Sequence, residues 1–237
     1  MSESVCQLNI KSQNALFCPP HPGRKGEGGT RTHGRFKKVG GDVHLITVIT
    51  IAYNSAKYLE KTIQSVLNQT YDNVEYIVID GGSTDESTDI LRKYDSQIDY
   101  WVSEPDKGIS DAFNKGIEIA AGDWLNFLNA GDSYISEKTL SNVAVYFGQK
   151  YIITGFSRSG KGRCPRRAKR NSQPLHVKSR ISHQASFINR TIFLEKGGFS
   201  TDFKIRMDYD FWMRVLKEYE FIFISDFFVF FDITGVS

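Results

Sequence analysis

From residue 44 onward, short β-branched apolar runs alternate with segments in which apolar residues recur at helical spacing. Residues 46–53 form the first run, and apolar residues then recur at i, i+4, i+7 and i+8 between Leu59 and Leu67. This spacing predicts a helix with one core-facing stripe. Residues 75–80 form the next apolar run. The alternation favours an α/β fold whose mostly parallel sheet is flanked by helices on both faces.

Polar residues collect where the predicted strands end. Further strands are expected at residues 98–104 and 123–130, with a helix at 109–120 between them. Ser83 or Thr84 is a suitable cap for a helix that follows the second strand. Open α/β sheets bind ligands outside the carboxyl ends of their strands. The polar residues at these ends are Asn54, Asp80, Ser83, Asp85, Asn129 and Asp132.

The order of elements changes in the second half of the chain. The pattern predicts a short helix near Phe193, a helix over 208–219 and a strand-like run at 221–233. A chain of 237 residues, 40% of them apolar, can bury one sizeable core. We therefore expect a single domain over residues 43–237.

Residues 1–42 differ from the rest in composition. They hold three of the six prolines, a glycine-rich stretch at 26–34 and almost no apolar periodicity. Such a segment buries too little apolar surface to order itself. We therefore expect a disordered, basic N-terminal extension.

The net charge of +3 conceals two basic clusters. Residues 24–38 carry six lysines and arginines against Glu27, and residues 158–170 carry seven without an acid. These clusters suit anionic lipid or a diphosphate, and a solvated loop is the alternative. Binding of nucleic acid by them alone would be nonspecific and salt-sensitive, so we expect no specific nucleic-acid partner. Arg166 and Arg167 are the candidates for contacting an acceptor diphosphate or a membrane surface.

The cysteines and the lack of long apolar runs indicate a compartment. Cys6, Cys18 and Cys164 are far apart and match no zinc-binding spacing, which favours a reducing environment. No run approaches the roughly twenty apolar residues of a membrane-spanning helix, and the N-terminus lacks the apolar core of a secretory signal. We expect a cytoplasmic protein that makes peripheral contact with the inner face of the cytoplasmic membrane.

Two strand ends suit the binding of a nucleoside. The first run ends with Ile51, Tyr53 and Asn54, and the second ends with Asp80, followed by two glycines and Ser83. Glycine permits a tight turn or a positive φ, and Asp80 can accept hydrogen bonds from a base or a ribose. For either end alone, an ordinary strand-to-helix turn is the alternative.

A third strand end, residues 128–134, suits a divalent cation. Mg²⁺ and Mn²⁺ prefer oxygen ligands and commonly bind one or two carboxylates together with substrate phosphates. Asp132 fits that role, and Asn129 lies close to it in the sequence. The cation would act as a Lewis acid on a departing diphosphate. A turn-forming aspartate is the alternative.

The start of the helix at 208 supplies a candidate base. Asp208 and Asp210 point in different directions at their i, i+2 spacing. We expect one to stabilise the helix terminus and the other to take a proton from an acceptor hydroxyl. The remaining candidates for contacting the donor or the acceptor are Asp106, Lys107, Asn114 and His183. The alternatives are a solvated turn for the first three residues and a structural role for His183.

Taken in order, the motifs resemble the inverting glycosyltransferases of family 2. They are ITVITIAYNSAKYLEKTIQSVLNQTY, EYIVIDGGSTDEST, EPDKGISDAFNKG, GDWLNFLNAGD, SHQASF and MDYDFWMR, and the resemblance covers residues 44–237. Within the family the chain is similar to bacterial enzymes that build exopolysaccharide, capsule or O-antigen repeats, including the colanic-acid type. The resemblance implies a GT-A fold, a UDP- or GDP-sugar donor, a divalent metal (Mn²⁺ or Mg²⁺) and a glycan acceptor that is lipid-linked.

The resemblance also implies roles for individual residues. Ile51–Asn54 and Asp80 match nucleoside-binding segments, and Asp132 matches the last carboxylate of the family's Asp-X-Asp metal motif. Asp208 matches the catalytic base of a single displacement with inversion, which leaves Asp210 as a structural partner. The nucleotide-sugar half is then expected at about 43–134 and the acceptor half at about 135–237.

Departures from the family pattern keep alternatives open. Asn129 and Gly131 stand where many members have acids, and Gly81 stands where many have a second aspartate. One alternative is therefore a catalytically weakened protein that binds a nucleotide sugar. A nucleotidyltransferase is another, although IAYNSAKY stands where those enzymes usually have a glycine-rich basic loop. Related proteins often continue into membrane-associating helices, so we expect further sequence after residue 237.

Overall fold

The computed structural model describes residues 15–159, 181–203 and 206–231. Within these ranges the strands are β1 (Gly26–Gly28), β2 (Ile46–Ala52), β3 (Val74–Asp80), β4 (Tyr100–Ser103), β5 (Trp124–Phe127), β6 (Ser133–Tyr134), β7 (Ile152–Ser159), β8 (Ser186–Asn189) and β9 (Phe221–Phe231). They form one mixed sheet in the order β1-β4-β3-β2-β5-β8-β7-β9-β6.

Helices cover both faces of this sheet. They are α1 (Ala56–Leu67), α2 (Ser87–Lys93), α3 (Ile109–Ile119), α4 (Thr139–Ala144), α5 (Arg190–Lys196) and α6 (Met207–Val215). One core contains buried residues of α3, α5 and α6, and a second core contains those of α1, α2 and α4. The predicted α/β architecture is confirmed. No helix of the described ranges is long and apolar enough to cross a bilayer.

Strand register brings the polar strand ends together. β2, β3 and β4 are parallel neighbours, with Ala52 opposite Asp80 and Asp80 opposite Ser103. β5 is parallel to β2 on its other side, whereas β8 runs antiparallel to β5. The residues that lead into β8 therefore lie at the same edge of the sheet as the residues that follow β5.

Two local predictions are wrong. α2 begins at Ser87 and not after Ser83 or Thr84, because the side chain of Asp85 accepts hydrogen bonds from the Ala56 and Ser87 amides and shapes an intervening turn. β5 ends at Phe127 and not at Ala130, although the Leu128 and Ala130 amides still donate to the Ile49 and Ile51 carbonyls of β2.

The prediction that residues 1–42 are disordered is wrong for the part that the structure describes. β1 pairs antiparallel with β4 and covers the edge of the sheet. Arg31 and Glu75, 3% and 1% exposed, form a buried ion pair. Strand pairing and this ion pair replace the apolar burial that the composition lacks. Residues 1–14 lie outside the described residues.

Candidate functional site

Asp80 shapes the turn at the end of β3. Its side chain is fully buried, and its Oδ2 accepts hydrogen bonds from the Ser83 amide at 2.9 Å and the Ser103 hydroxyl at 2.6 Å. Its Oδ1 accepts a hydrogen bond from the Ser83 hydroxyl. With both oxygens engaged, Asp80 sets the backbone of the turn, and its direct contact with a nucleoside stays a prediction.

Asn54 ties the end of β2 to this turn. Its backbone has a φ of 46°, and its amide donates to Ser83 Oγ at 2.8 Å. Its side-chain oxygen accepts from the Thr84 amide at 2.8 Å. Tyr53, which is 65% exposed, and the partly buried Ile51 precede it. These contacts fix the two predicted nucleoside-binding segments against each other.

Asp106 supplies a carboxylate beside the same turn. Its Oδ1 accepts a hydrogen bond from the Gly108 amide at 2.8 Å, and its Oδ2 lies 2.5 Å from the place where a Gly81 Cβ would be. Burial raises the pKa of the Asp106 carboxyl from its ordinary value, and the Gly108 hydrogen bond opposes that shift. The Lys107 side chain is exposed next to it. Asp106 thus lies against Gly81 at this edge of the sheet, and the Tyr53 ring approaches Gly81 as well.

Asp132 lies in the segment that follows β5, next to the end of β2. The Leu128 and Ala130 amides donate to the Ile49 and Ile51 carbonyls, each at 3.0 Å, so this segment extends alongside β2. Gly131 has a φ of 105°, which glycine adopts without strain. The Thr62 hydroxyl accepts from the Gly131 amide and donates to the Asp132 carbonyl.

These residues fit a hard divalent cation. The buried side-chain oxygen of Asn129 has no hydrogen-bond partner among the described residues, and the carboxylate of Asp132 lies three residues further on. Both supply oxygen ligands, which Mg²⁺ and Mn²⁺ prefer. The described ranges contain no group of three or more His, Cys, Asp or Glu residues suited to a metal ion. Phosphate oxygens would therefore have to complete the coordination.

His183 and Asp208 form a pair at this edge. His183 precedes β8, and its Nδ1 lies 3.5 Å from Asp208 Oδ2 at the start of α6. Burial by itself raises the pKa of the Asp208 carboxyl, but the hydrogen bond and charge of His183 and the backbone hydrogen bonds of Tyr209 and Asp208 together outweigh burial and lower the pKa. The buried Nε2 of His183 has no hydrogen-bond partner in the described part of the chain. The pair thus offers an ionised carboxylate and a second polar atom.

Two other predicted side chains make structural contacts. Asp210 Oδ2 accepts from Arg214 Nε at 3.0 Å, and Arg214 also donates to the Lys196 and Gly198 carbonyls. The Asn114 amide exchanges two hydrogen bonds of 2.8 Å with the Phe199 backbone. This leaves Asn114 little capacity for a ligand. The remaining predicted residues, Arg166 and Arg167, lie outside the described residues.

Three residues that support the site are not among those predicted from the sequence. Ser103 bonds Asp80 and stood at the end of a predicted strand, a position that could have revealed it. Thr62 lies within α1, where nothing in the sequence distinguishes it. Lys25 contacts the Gly82 and Ser83 carbonyls from the segment that we predicted to be disordered.

An open cavity of about 570 Å³ lies at the opposite edge of the sheet. Trp124 at the start of β5, Tyr151 before β7 and the Lys150–Glu220 ion pair line it. None of the residues that end β2, β3 or β4 lines this cavity. The predicted chemistry and this cavity are therefore separate.

Comparison with known proteins identifies one family. The sequence model described as "Glycosyl transferase family 2" matches residues 47–218. An uncharacterized glycosyltransferase of Mycobacterium tuberculosis is 33% identical over 200 residues, which cover 81% of this chain and 76% of that protein. A PGL/p-HBAD biosynthesis glycosyltransferase of Mycobacterium bovis is 31% identical over 184 residues, which cover 72% of this chain and 69% of that protein.

Solved structures share the fold at low sequence identity. Staphylococcus aureus TarS in complex with UDP superimposes with a TM-score of 0.66 at 20% identity, over 80% of this chain and 60% of that chain. The mannosyltransferase PcManGT from Pyrobaculum calidifontis, in complex with GDP-Man and Mn²⁺, superimposes with a TM-score of 0.62 at 18% identity. The match covers 84% of this chain and 61% of that chain.

Proposed function

The chain belongs to glycosyltransferase family 2, and from this premise we propose that it transfers a sugar from a nucleoside diphosphate sugar to a lipid-linked glycan with inversion at the anomeric carbon. The observation that carries the proposal is the convergence of six predicted segments at one edge of the sheet. They contain Asn54, Ser83, Asp106, Asp132 and the His183–Asp208 pair.

We assign the nucleoside to the surface that Tyr53, Gly81 and Asp106 form together. Tyr53 offers an exposed ring for stacking, and Asp106 offers a hydrogen-bonding group for a base or a ribose. TarS is solved with UDP and PcManGT with GDP-Man. Either nucleotide is accordingly a candidate for this chain, and we include Lys107 as a contact for the phosphates.

The diphosphate is proposed to lie beside Asn129 and Asp132, which would hold Mn²⁺ or Mg²⁺ together with its oxygens. When bound, the cation stabilises the negative charge of the leaving diphosphate. Asp208, whose pKa is lowered, is ionised at neutral pH and takes the proton of the acceptor hydroxyl. The acceptor oxygen bonds to the anomeric carbon as the bond to the diphosphate breaks, and the diphosphate leaves with the electron pair. Attack opposite the leaving group inverts the configuration.

The proposal is tested by a panel of UDP- and GDP-sugars with Mn²⁺, in which nucleotide release and nucleotide affinity are measured. Asp208→Asn should lower kcat on the order of 10²- to 10⁴-fold while nucleotide binding is retained. Asp132→Ala should lose the Mn²⁺-dependent part of nucleotide binding. Asp89→Asn is the control, because Asp89 is exposed on α2 in a pair with Arg92. Full activity of either site variant would refute the assigned role.

A protein that binds a nucleotide sugar without turnover is the second candidate. The observation that favours it is the small number of acids at the metal position, where Asn129 and Gly131 accompany Asp132. It predicts Mn²⁺-dependent binding of a nucleotide sugar but no product with any lipid-linked glycan. Turnover that Asp208→Asn abolishes would exclude it.

A further inference from the structure

The N-terminal strap, defined here as residues 15–35, packs against the nucleoside side of the proposed site. β1 continues the sheet beyond β4, and the Lys25 amide donates to the Ser103 carbonyl at 2.7 Å. Ser103 is paired with Asp80 in the register of β3 and β4. The backbone of Lys25 is thus fixed one strand away from the turn that follows Asp80.

The Lys25 side chain reaches that turn. Its Nζ donates to the Gly82 carbonyl at 2.7 Å and to the Ser83 carbonyl at 3.0 Å. The amides of the same two peptide groups belong to Ser83 and Thr84, and they donate to Asp80 and Asn54, each within 2.9 Å. Two consecutive peptide groups are therefore held on one side by the strand ends and on the other by Lys25.

A second contact of the strap fixes the neighbouring segment. Arg24 bonds Glu104 Oε2 at 2.9 Å, and Lys115 of α3 bonds Glu104 Oε1 at the same distance. Burial alone raises the pKa of the Glu104 carboxyl, but hydrogen bonds from Lys115 and Arg24 outweigh it and lower the pKa. Glu104 leads directly to Asp106. The strap therefore contacts both segments that contribute to the surface assigned to the nucleoside.

We propose that the strap is part of the donor-binding half and that Lys25 is a positioning residue, which orients the 82–84 turn for the nucleoside diphosphate. This inference rests on the proposed function. The family's sequence model begins at residue 47, so this contribution comes from outside the matched region. Lys25 acts through the turn, and its loss should weaken donor binding without altering the chemical step.

The test compares Lys25→Met with Lys25→Arg and with Lys93→Met. Lys93 is a matched control, because it is an exposed lysine whose Nζ bonds Oε1 of Glu60, a residue of α1, at 2.6 Å. Loss of a hydrogen-bonding cation should raise the Kd for UDP or GDP and the KM for the nucleotide sugar roughly 3- to 10-fold, with kcat unchanged. Lys25→Arg should restore part of the affinity. Hydrogen exchange of the 81–86 amides, measured without nucleotide, should become faster in Lys25→Met alone.

The outcomes separate this inference from the function on which it rests. If the unaltered protein binds neither UDP, GDP nor their sugars, the proposed function fails and the inference fails with it. If the unaltered protein binds one of them and Lys25→Met binds it equally well, only the inference fails, whether or not exchange becomes faster. An equal loss in Lys93→Met also overturns it, because the effect would then be a general one of surface charge.

Discussion

Replacement of Arg31 by methionine should destabilise the whole domain, because Arg31 carries the buried charge that compensates Glu75. One Arg31 nitrogen bonds the Glu75 carboxylate, and the other donates to the Leu16 carbonyl at 2.9 Å and the Ile119 carbonyl at 3.0 Å. Methionine retains much of the apolar stem and removes all three hydrogen bonds. The variant therefore changes the charge more than the volume.

The size of the effect follows from what Glu75 keeps. Its other oxygen still accepts from the Thr47 hydroxyl at 2.6 Å and the Ala121 amide at 2.8 Å, but both of these partners are neutral. Removal of one member of a buried ion pair typically costs about 3–5 kcal/mol. Arg190 interacts electrostatically with Glu75 and softens the loss. We expect a decrease of about 3 kcal/mol in the free energy of unfolding, or roughly 6–12 °C in Tm.

Urea denaturation followed by tryptophan fluorescence measures this change, since all three tryptophans are buried. Arg35→Met is the control, because Arg35 is exposed four residues along the same strap, and a surface substitution should cost less than about 0.5 kcal/mol. Trypsin should also cut Arg31→Met faster within residues 24–37. If Arg31→Met were as stable as Arg35→Met, the strap would not be docked and the disorder expected from composition would be right.

Three further predictions concern the site. Because His183 lowers the pKa of Asp208 against the effect of burial, His183→Gln should raise that pKa and move the acid limb of the kcat/KM profile to higher pH. His44→Gln is the control, because it removes the exposed His44–Asp123 pair and should leave the acid limb in place. Ionised Asp208 should also stabilise the fold at pH values above the pKa that it has in the unfolded chain. This stabilisation should be lost as the pH falls through the lower pKa that Asp208 has in the folded protein. Gly81→Ala should weaken nucleotide binding roughly tenfold by displacing Asp106, and Gly81→Ala combined with Asp106→Ala should bind no worse than Asp106→Ala alone.

The sequence predicts the elements of the fold better than their limits. The spacing of apolar residues identifies α1 and α3, because an amphipathic helix packed on a sheet must repeat its apolar face. The predicted start of α2 was wrong, because the Ser83 amide bonds Asp80 at the end of β3 and the Asp85 carboxylate bonds the Ala56 amide at the start of α1. Local chemistry proposes a cap, and tertiary contacts decide whether that cap forms.

The positions of candidate residues were predictable where they follow a strand. Asn54 and Asp132 were expected at one edge because parallel strands end at the same edge of a sheet, and their functions stay predictions. The role of Asp80 within its turn was not predictable, because a carboxylate that shapes a turn and one that binds a base look alike in sequence. Lys25 could not be found at all, since its partners are backbone carbonyls, which leave no trace in the residue types of the turn.

The charge at the sheet edge supports the proposed role of the strap in the site. Four carboxylates lie at the edge of the sheet where we propose that a nucleoside diphosphate binds, those of Asp80, Asp106, Asp132 and Asp208. Their negative charges repel the negative charge of the diphosphate. Such a ligand can bind there only if cations accompany it or lie nearby. A divalent ion beside Asp132 would neutralise part of the negative charge of the phosphates. Lys25 adds a second positive charge nearby, because it lies against the turn that Asp80 shapes. A basic segment that composition alone assigns to a tail thus becomes a counterpart of the acidic strand ends.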